Sequence, residues 1–284
     1  MAVLLVLLAL GIQVALSIPL AIANLVVELG MHRAAPHLER QPFLVGCVNV
    51  VACGGAIAFG LWLNRLSFRR AFPSWRISAQ QAFGAAVSLI GAVVLLSEAD
   101  NAFRFVLPPP RFLTSLMREF FFSEETLVSR VWFLVIIAPV TEELLFRGII
   151  LRGLLSRHRP ATAVVITAIL FAGFHLNPWQ FCSALFVGIL LGWFYVHSGS
   201  VAICILGHAI CNSMVVVFSV LPWDIPGMTV TSDLTKVEFQ PWWLDFSGLV
   251  VLLVGLWIFR RSTPPEPPVI TENTGNGSSG SPPS

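Results

Sequence analysis

The sequence predicts an all-α protein, a polytopic transmembrane helical bundle of about eight spans. Hydrophobic residues make up 56% of its 284 positions and charged residues only 11%, whereas soluble domains carry about 25% charged residues. The mean hydropathy is +0.82, and apolar runs close to the ~20 residues that a helix needs to cross hydrocarbon recur along the chain. The expected surroundings are a lipid bilayer, and a net charge of +2 predicts no nucleic-acid partner.

Eight apolar runs are the predicted spans. They cover residues 2–30, 42–64, 78–98, 128–147, 161–175, 179–197, 200–221 and 243–260. The fifth run is short and is followed by Asn177 and Pro178, so it either stops below the far surface or packs as a partly re-entrant helix. Very few residues join the fifth, sixth and seventh runs, which predicts adjacent antiparallel hairpins.

The first run and the loop charges bear on topology. Residues 17–23 end in a small-x-small pattern that a signal peptidase would accept, but no Lys or Arg precedes the run, which favours a retained first helix. Loops 65–77 and 148–160 and the segment after the last span hold more Arg and Lys than the opposite loops, so both termini are predicted in the cytoplasm. The excess of Arg over Lys suits a bacterial inner (plasma) membrane.

The segment "APVTEELLFRG" at residues 138–148 places ionisable groups beside an apolar run. Such groups cost about 2.5–3.5 kcal/mol each in hydrocarbon, so they usually face a bundle interior or a wet cavity. Glu143 and Arg147 are four residues apart, which predicts an ion pair on one helix face. Glu142 points about 100° away and stays available for other chemistry. The alternative is a span that ends near Pro139, with these residues as interfacial charges.

Two further segments put polar groups into apolar helices. "LFAGFHLNP" places His175 four residues after Phe171, on the same helix face, and "CILGHAICNS" places His208 four residues before Asn212. A His and an Asn inside hydrocarbon need partners. The alternatives are a structural His at a helix end and a His/Asn hydrogen-bond clamp between helices. The joint occurrence of the three segments favours a water-containing active site.

These three segments resemble the motifs of the CPBP intramembrane proteases, the group that contains the CAAX prenyl endopeptidases and bacteriocin-processing enzymes. The matching positions are E-E-x-x-x-R (Glu142, Glu143, Arg147), F-x-x-x-H (Phe171, His175) and H-x-x-x-N (His208, Asn212). The resemblance predicts a catalytic core at residues 125–221. Residues 1–124 would then form N-terminal transmembrane helices and an interfacial segment, residues 222–261 a loop and the last transmembrane helix, and residues 262–284 a disordered tail.

The resemblance implies a peptide-bond hydrolase whose catalytic residues are Glu142, His175, His208 and Asn212. Glu142, helped by His175, would activate a water molecule, while His208 and Asn212 would donate hydrogen bonds to the oxyanion. Burial disfavours the charged form of a carboxyl group and suits it to general-base chemistry near neutral pH. Convergent donors supply the electrostatic stabilisation that acyl hydrolysis needs. The supporting residues would be Glu143, Arg147 and Phe171, with Glu143 and Arg147 orienting Glu142.

Two alternatives remain open at this stage. No cofactor is required by this chemistry, but zinc is an alternative, because Glu142, His175 and His208 make a two-His, one-carboxylate set. A non-enzymatic membrane transporter, or a regulatory or immunity binding protein, would use the same polar cluster as a relay or clamp. The expected partner of the protease is a membrane-embedded or lipidated peptide substrate.

Overall fold

A computed structural model describes residues 1–31, 41–72, 74–122, 127–228 and 236–262. These residues form helices and their connections, with no β-strand among them, as predicted. The predicted disordered tail lies almost entirely outside the described residues. The helices, numbered in chain order, begin with α1 (Ala2–Met31), α2 (Pro42–Leu63), α3 (Phe68–Ala71), α4 (Ala79–Val106) and α5 (Arg111–Phe122). They continue with α6 at residues 127–155, α7 (Pro160–Phe174), α8 (Pro178–Ser198), α9 (Val201–Val220) and α10 (Trp242–Arg261).

The number of spans agrees with the prediction of about eight. Within the described ranges, six helices are long and apolar enough to cross a membrane, namely α1, α2, α4, α8, α9 and α10. The apolar α7 is shorter, as its sequence predicts. With α7 and α6 added to these six helices, the total is eight. The chain is therefore an integral membrane protein, while the side on which its termini lie and the kind of membrane stay predictions.

Helix α6 differs from its predicted span because it is longer and changes geometry along its length. It has α-helical turns at Leu127–Arg130, Ala138–Glu143 and Arg152–Leu155, separated by π-helical turns at Val131–Ile137 and Leu144–Leu151. Pro139 in the middle turn lies inside a continuous helix, because the residues that flank this turn keep right-handed helical backbone angles. A proline there removes one backbone hydrogen bond. π-Helical turns are rare overall, and those that occur are often found at functional sites.

The helices surround α6 in a way that brings the three motifs together. Helices α2 and α9 pack on either side of α6, and α7 and α8 pack against its second half. The predicted hairpins are confirmed: residues 175–177 join α7 to α8, and Gly199, with a φ of +67°, ends α8 just before α9 begins. The left-handed backbone at that position explains the use of glycine.

Close helix contacts hold the bundle on both sides of α6. On one side, a side chain at Gly91 of α4 would collide with the backbone of Leu252 in α10. On the other side, a Cβ atom at Gly188 of α8 would lie 3.1 Å from the Cβ atom of Ala168 in α7. Small residues allow such approach where lipid provides no hydrophobic driving force between helices.

Candidate active site

A single cavity of about 900 Å³ is lined by all four residues predicted as catalytic, Glu142, His175, His208 and Asn212. They come from α6, the end of α7 and the middle of α9, and the remaining walls are parts of α2, α4, α5 and α8. Most of the lining is apolar, but charged residues also line the cavity from the end of α4 and the connection before α10. These charged residues are Asp100, Arg104, Asp224, Lys236 and Glu238.

Glu142 lies on the α-helical turn at Ala138–Glu143, and its side chain faces the cavity and α2. It is 6% exposed. The Asn49 side-chain amide of α2 donates a hydrogen bond to Glu142 Oε1 over 3.4 Å. Glu142 Oε2 is buried without a hydrogen-bond partner among the described residues. A buried polar atom without a partner is costly, so this carboxyl group retains hydrogen-bonding capacity for a water molecule or a substrate.

Glu143 is the next residue on the same turn and points into the protein interior. It is fully buried, and its Oε1 accepts a hydrogen bond from Arg147 Nη1 at 2.8 Å, which confirms the predicted ion pair. The same oxygen lies 2.9 Å from His208 Nδ1. Arg147 Nη2 also donates to the Gly188 carbonyl oxygen at 3.1 Å. These contacts place the Glu143 carboxylate against the His208 imidazole, while the predicted role of Glu143 and Arg147 in orienting Glu142 stays a prediction.

Both histidines are held through Nδ1. His175 Nδ1 lies 2.9 Å from the Phe171 carbonyl oxygen, and His208 Nδ1 contacts the Glu143 carboxylate. Because these oxygens can only accept, each Nδ1 carries a hydrogen. His175 Nε2 is then a hydrogen-bond acceptor when that imidazole is neutral. His208 Nε2 can donate only when the ring is an imidazolium, whose Nδ1 hydrogen then faces the Glu143 carboxylate.

Phe171 packs between the two imidazoles. Its ring, 2% exposed, makes edge-to-face contacts with His175 and His208 at centroid distances of 5.0 and 5.6 Å. The Arg147 guanidinium lies 4.6 Å from the same ring centroid. The contact with His175 confirms their predicted common face. One aromatic ring thus restricts the rotation of both imidazoles and of the arginine.

Asn212 reaches back to α6. Its Nδ2 donates to the Leu134 carbonyl oxygen at 2.8 Å. Leu134 lies in the first π-helical segment. An amide nitrogen carries two hydrogens, so this bond uses one of them and orients the side chain that lines the cavity.

The sequence analysis missed one polar side chain in this site. Asn49 is buried in α2, and besides contacting Glu142 it accepts a hydrogen bond from the Thr141 hydroxyl group at 2.5 Å. A lone Asn inside an apolar span was the available signal, because an amide at membrane depth needs partners. The spacing of residues along the sequence could not connect α2 with α6.

The zinc alternative finds no ligand group among the described residues. Across the described ranges, no three His, Cys, Asp or Glu residues are grouped in a way that would hold a metal ion, so Glu142, His175 and His208 share a cavity without forming a ligand set. Cys204, one turn before His208, is fully buried, and its Sγ donates to the Leu191 carbonyl oxygen at 3.2 Å.

Comparison with known protein families decides which group the motif-bearing helices resemble. Residues 124–214 match the family model described as type II CAAX prenyl endopeptidase Rce1-like. That model belongs to the CPBP family, and the matched segment is here termed the CPBP domain. No curated protein and no solved structure matches the chain. The CPBP domain contains α6, α7, α8 and most of α9, with all four residues predicted as catalytic, and its family supports an intramembrane endopeptidase of the CAAX type in general. Asn49 lies outside it.

Proposed function

We propose that this protein is an intramembrane endopeptidase that uses Glu142 to activate a water molecule. The observation that carries the proposal is the shared cavity lined by Glu142, His175, His208 and Asn212. Ionisable and amide side chains are costly at membrane depth and are usually functional there. Their common position on a large cavity within a CPBP domain supports catalysis.

In the proposed reaction, Glu142 acts first as a general base. It takes a proton from water, assisted by His175 Nε2, and the water oxygen forms a bond to the peptide carbonyl carbon. The carbonyl electron pair moves onto oxygen, where His208 Nε2 and the second Asn212 Nδ2 hydrogen would stabilise the negative charge. Glu142 then returns the proton to the leaving nitrogen as the C–N bond breaks, which yields a carboxylic acid and an amine.

The buried residues behind His208 support its proposed role. An oxyanion donor at Nε2 requires the imidazolium form of His208, and Glu143 lies in contact with Nδ1 of that ring. Arg147 forms the buried ion pair with the same Glu143 carboxylate and is itself held by the Gly188 carbonyl oxygen. Together with Phe171, these groups would hold the donor in place before substrate binds, which favours transition-state stabilisation.

The proposed substrate is a membrane-bound peptide that carries a lipid, with a prenylated peptide as the first choice. The cavity walls contributed by α4, α5 and α9 are largely apolar, and they include Leu96, Met117, Phe120 and Phe218. Such a lining suits a hydrocarbon chain, while the charged residues that line another part of the cavity suit polar peptide groups. The name of the matching family points to the same substrate class.

The test is cleavage in proteoliposomes. The purified protein is reconstituted and given one peptide in two forms, with its C-terminal cysteine segment either prenylated or unmodified. The products are identified by mass spectrometry. We expect cleavage of the prenylated form, abolished by Glu142→Gln. Absence of cleavage of both forms, or equal cleavage by Glu142→Gln, would contradict the proposal.

Metal removal separates the glutamate mechanism from the zinc alternative. After dialysis of the reconstituted protein against EDTA, we expect the cleavage rate to stay unchanged, because the described residues offer no group of three metal ligands. The measurement is the initial rate before dialysis, after it, and after addition of zinc. A rate that falls on dialysis and returns with zinc would instead support metal-dependent catalysis.

His208→Ala is expected to lower kcat by about 10²–10³-fold, with little change in KM, because it removes an oxyanion donor. His208→Gln should lose less, since its amide can donate. Steady-state kinetics in proteoliposomes measure both constants. The matched control is His197→Gln, in the exposed last turn of α8, where Nδ1 contacts the Trp193 carbonyl oxygen. If His208→Ala and His197→Gln behaved alike, the oxyanion role would be wrong.

A further inference from the structure

One side chain outside the CPBP domain contacts the proposed catalytic base. Asn49 belongs to α2 and is 4% exposed. The other residues of α2 are apolar or small. Its Nδ2 donates to Glu142 Oε1 at 3.4 Å, and its Oδ1 accepts from Thr141 Oγ1 at 2.5 Å. Both ends of the amide are therefore used by two neighbouring residues of α6.

The charge of Glu142 determines which way this amide faces. In the reverse orientation, Asn49 Oδ1 would face a carboxylate oxygen, and two acceptors would oppose each other. Thr141 Oγ1 lies 2.5 Å from Oδ1 and 2.8 Å from the Ile137 carbonyl oxygen, so its single hydrogen is divided between these two acceptors. Thr141 therefore contributes less to the orientation of the amide than Glu142 does. The amide nitrogen therefore points at Glu142. The distance to Glu142 Oε1 is long for a hydrogen bond, as is common for catalytic contacts before substrate binds.

The two oxygens of Glu142 consequently differ. Oε1 contacts Asn49, whereas Oε2 is buried without a hydrogen-bond partner among the described residues. A neutral donor fixed on one oxygen restricts rotation of the carboxyl group. This restriction would serve a general base, which must be aimed before it can take a proton from water.

We propose that Asn49 is a positioning residue for Glu142, an inference that rests on the proposed function of Glu142 as the general base. Asn49 touches neither substrate nor water in this scheme and acts through the carboxyl group that it holds. Thr141 contributes indirectly, because its hydroxyl group contacts the Asn49 amide oxygen. The proposed active site therefore includes a residue of α2, which lies outside the CPBP domain at residues 124–214.

Asn49→Leu tests the inference because leucine has a similar size and no donor. We expect kcat to fall by about 10- to 100-fold through loss of orientation, with KM little changed. The acid limb of kcat/KM against pH should shift, because the substitution removes a donor that contacts the proposed base. In a Glu142→Gln background, Asn49→Leu should have no further effect on the residual rate, because the two residues act as a unit.

Thr141→Val keeps the test decisive if Asn49→Leu does not fold. It should shift the acid limb in the same direction by a smaller amount. The matched control is Thr167→Val in α7, where the buried hydroxyl group donates to the Ala163 carbonyl oxygen of its own helix. Thr167→Val should leave kcat and the pH profile unchanged.

The outcomes separate failure of this inference from failure of the proposed function. If Glu142→Gln abolishes cleavage but Asn49→Leu and Thr141→Val leave the acid limb unmoved, Asn49 is merely structural and the inference is overturned, while the function stands. If Glu142→Gln cleaves like the unsubstituted protein, the proposed function fails first. A shifted acid limb in both variants, with an unshifted Thr167→Val, supports Asn49 as the positioning residue.

Discussion

Glu142→Gln is expected to lower the rate of peptide cleavage by about 10³-fold or more, the largest effect on activity of any single change in this chain. The glutamine side chain keeps the size of the glutamate but cannot take a proton from water or return one to the leaving nitrogen, and each general acid or base step contributes about 10²–10⁴-fold. Single-turnover rates on a prenylated peptide in proteoliposomes measure the loss without interference from product release.

A matched substitution identifies the position as the cause. Glu98 lies in α4, and its Oε2 accepts a hydrogen bond from the Gln240 backbone nitrogen at 2.9 Å. Glu98→Gln removes a carboxylate but preserves an acceptor oxygen, so its cleavage rate should stay within about twofold of the original. A Glu142→Gln rate that fell no further than this control would show that Glu142 is not the base.

Arg147→Met is expected to cause the largest loss of stability, about 3–5 kcal/mol in the free energy of unfolding. The substitution breaks a fully buried ion pair by removing one partner and leaves the Glu143 carboxylate with the His208 contact alone among the described residues, and the breaking of such a pair costs about this much. It also removes the bond to the Gly188 carbonyl oxygen and the contact with the Phe171 ring. The midpoint of thermal unfolding in detergent measures the effect.

The control for this change lies on the same helix. Arg152 donates from Nη1 to the Arg70 and Ala71 carbonyl oxygens and, among the described residues, forms no ion pair with a carboxylate. Arg152→Met should therefore cost less than Arg147→Met. The double substitution Glu143→Gln, Arg147→Met should recover part of the stability, since it removes both buried charges. Equal unfolding midpoints for Arg147→Met and Arg152→Met would contradict the account of Glu143 and Arg147.

Local spacing predicted those parts of the site that lie on one helix. Glu143 and Arg147 form the ion pair that four-residue spacing indicates, and Phe171 contacts His175 for the same reason. Helical geometry converts such spacings into neighbouring side chains without help from the rest of the fold. The separation of Glu142 from Glu143 follows equally from the turn of about 100° per residue.

Contacts between helices were not predictable in this way. The partner of Glu143 across the bundle is His208, 65 positions away, a contact that the sequence analysis did not predict. Asn212 bonds to a carbonyl oxygen of α6 rather than to its own helix. Both contacts depend on the rotation and depth of α9 against α6, which packing and the π-helical turns of α6 set and which no local spacing encodes.

The amino-acid sequence alone determined that this chain crosses a membrane as a bundle of apolar helices, and which helices carry the ionisable groups. Those features follow from hydropathy and helical periodicity, which are properties of short segments. Only the tertiary structure decided that four polar side chains share one cavity, that Glu143 holds His208, and that Asn49 of α2 reaches Glu142. These arrangements arise from the packing of several helices at once, so they become visible only when all the helices are in place.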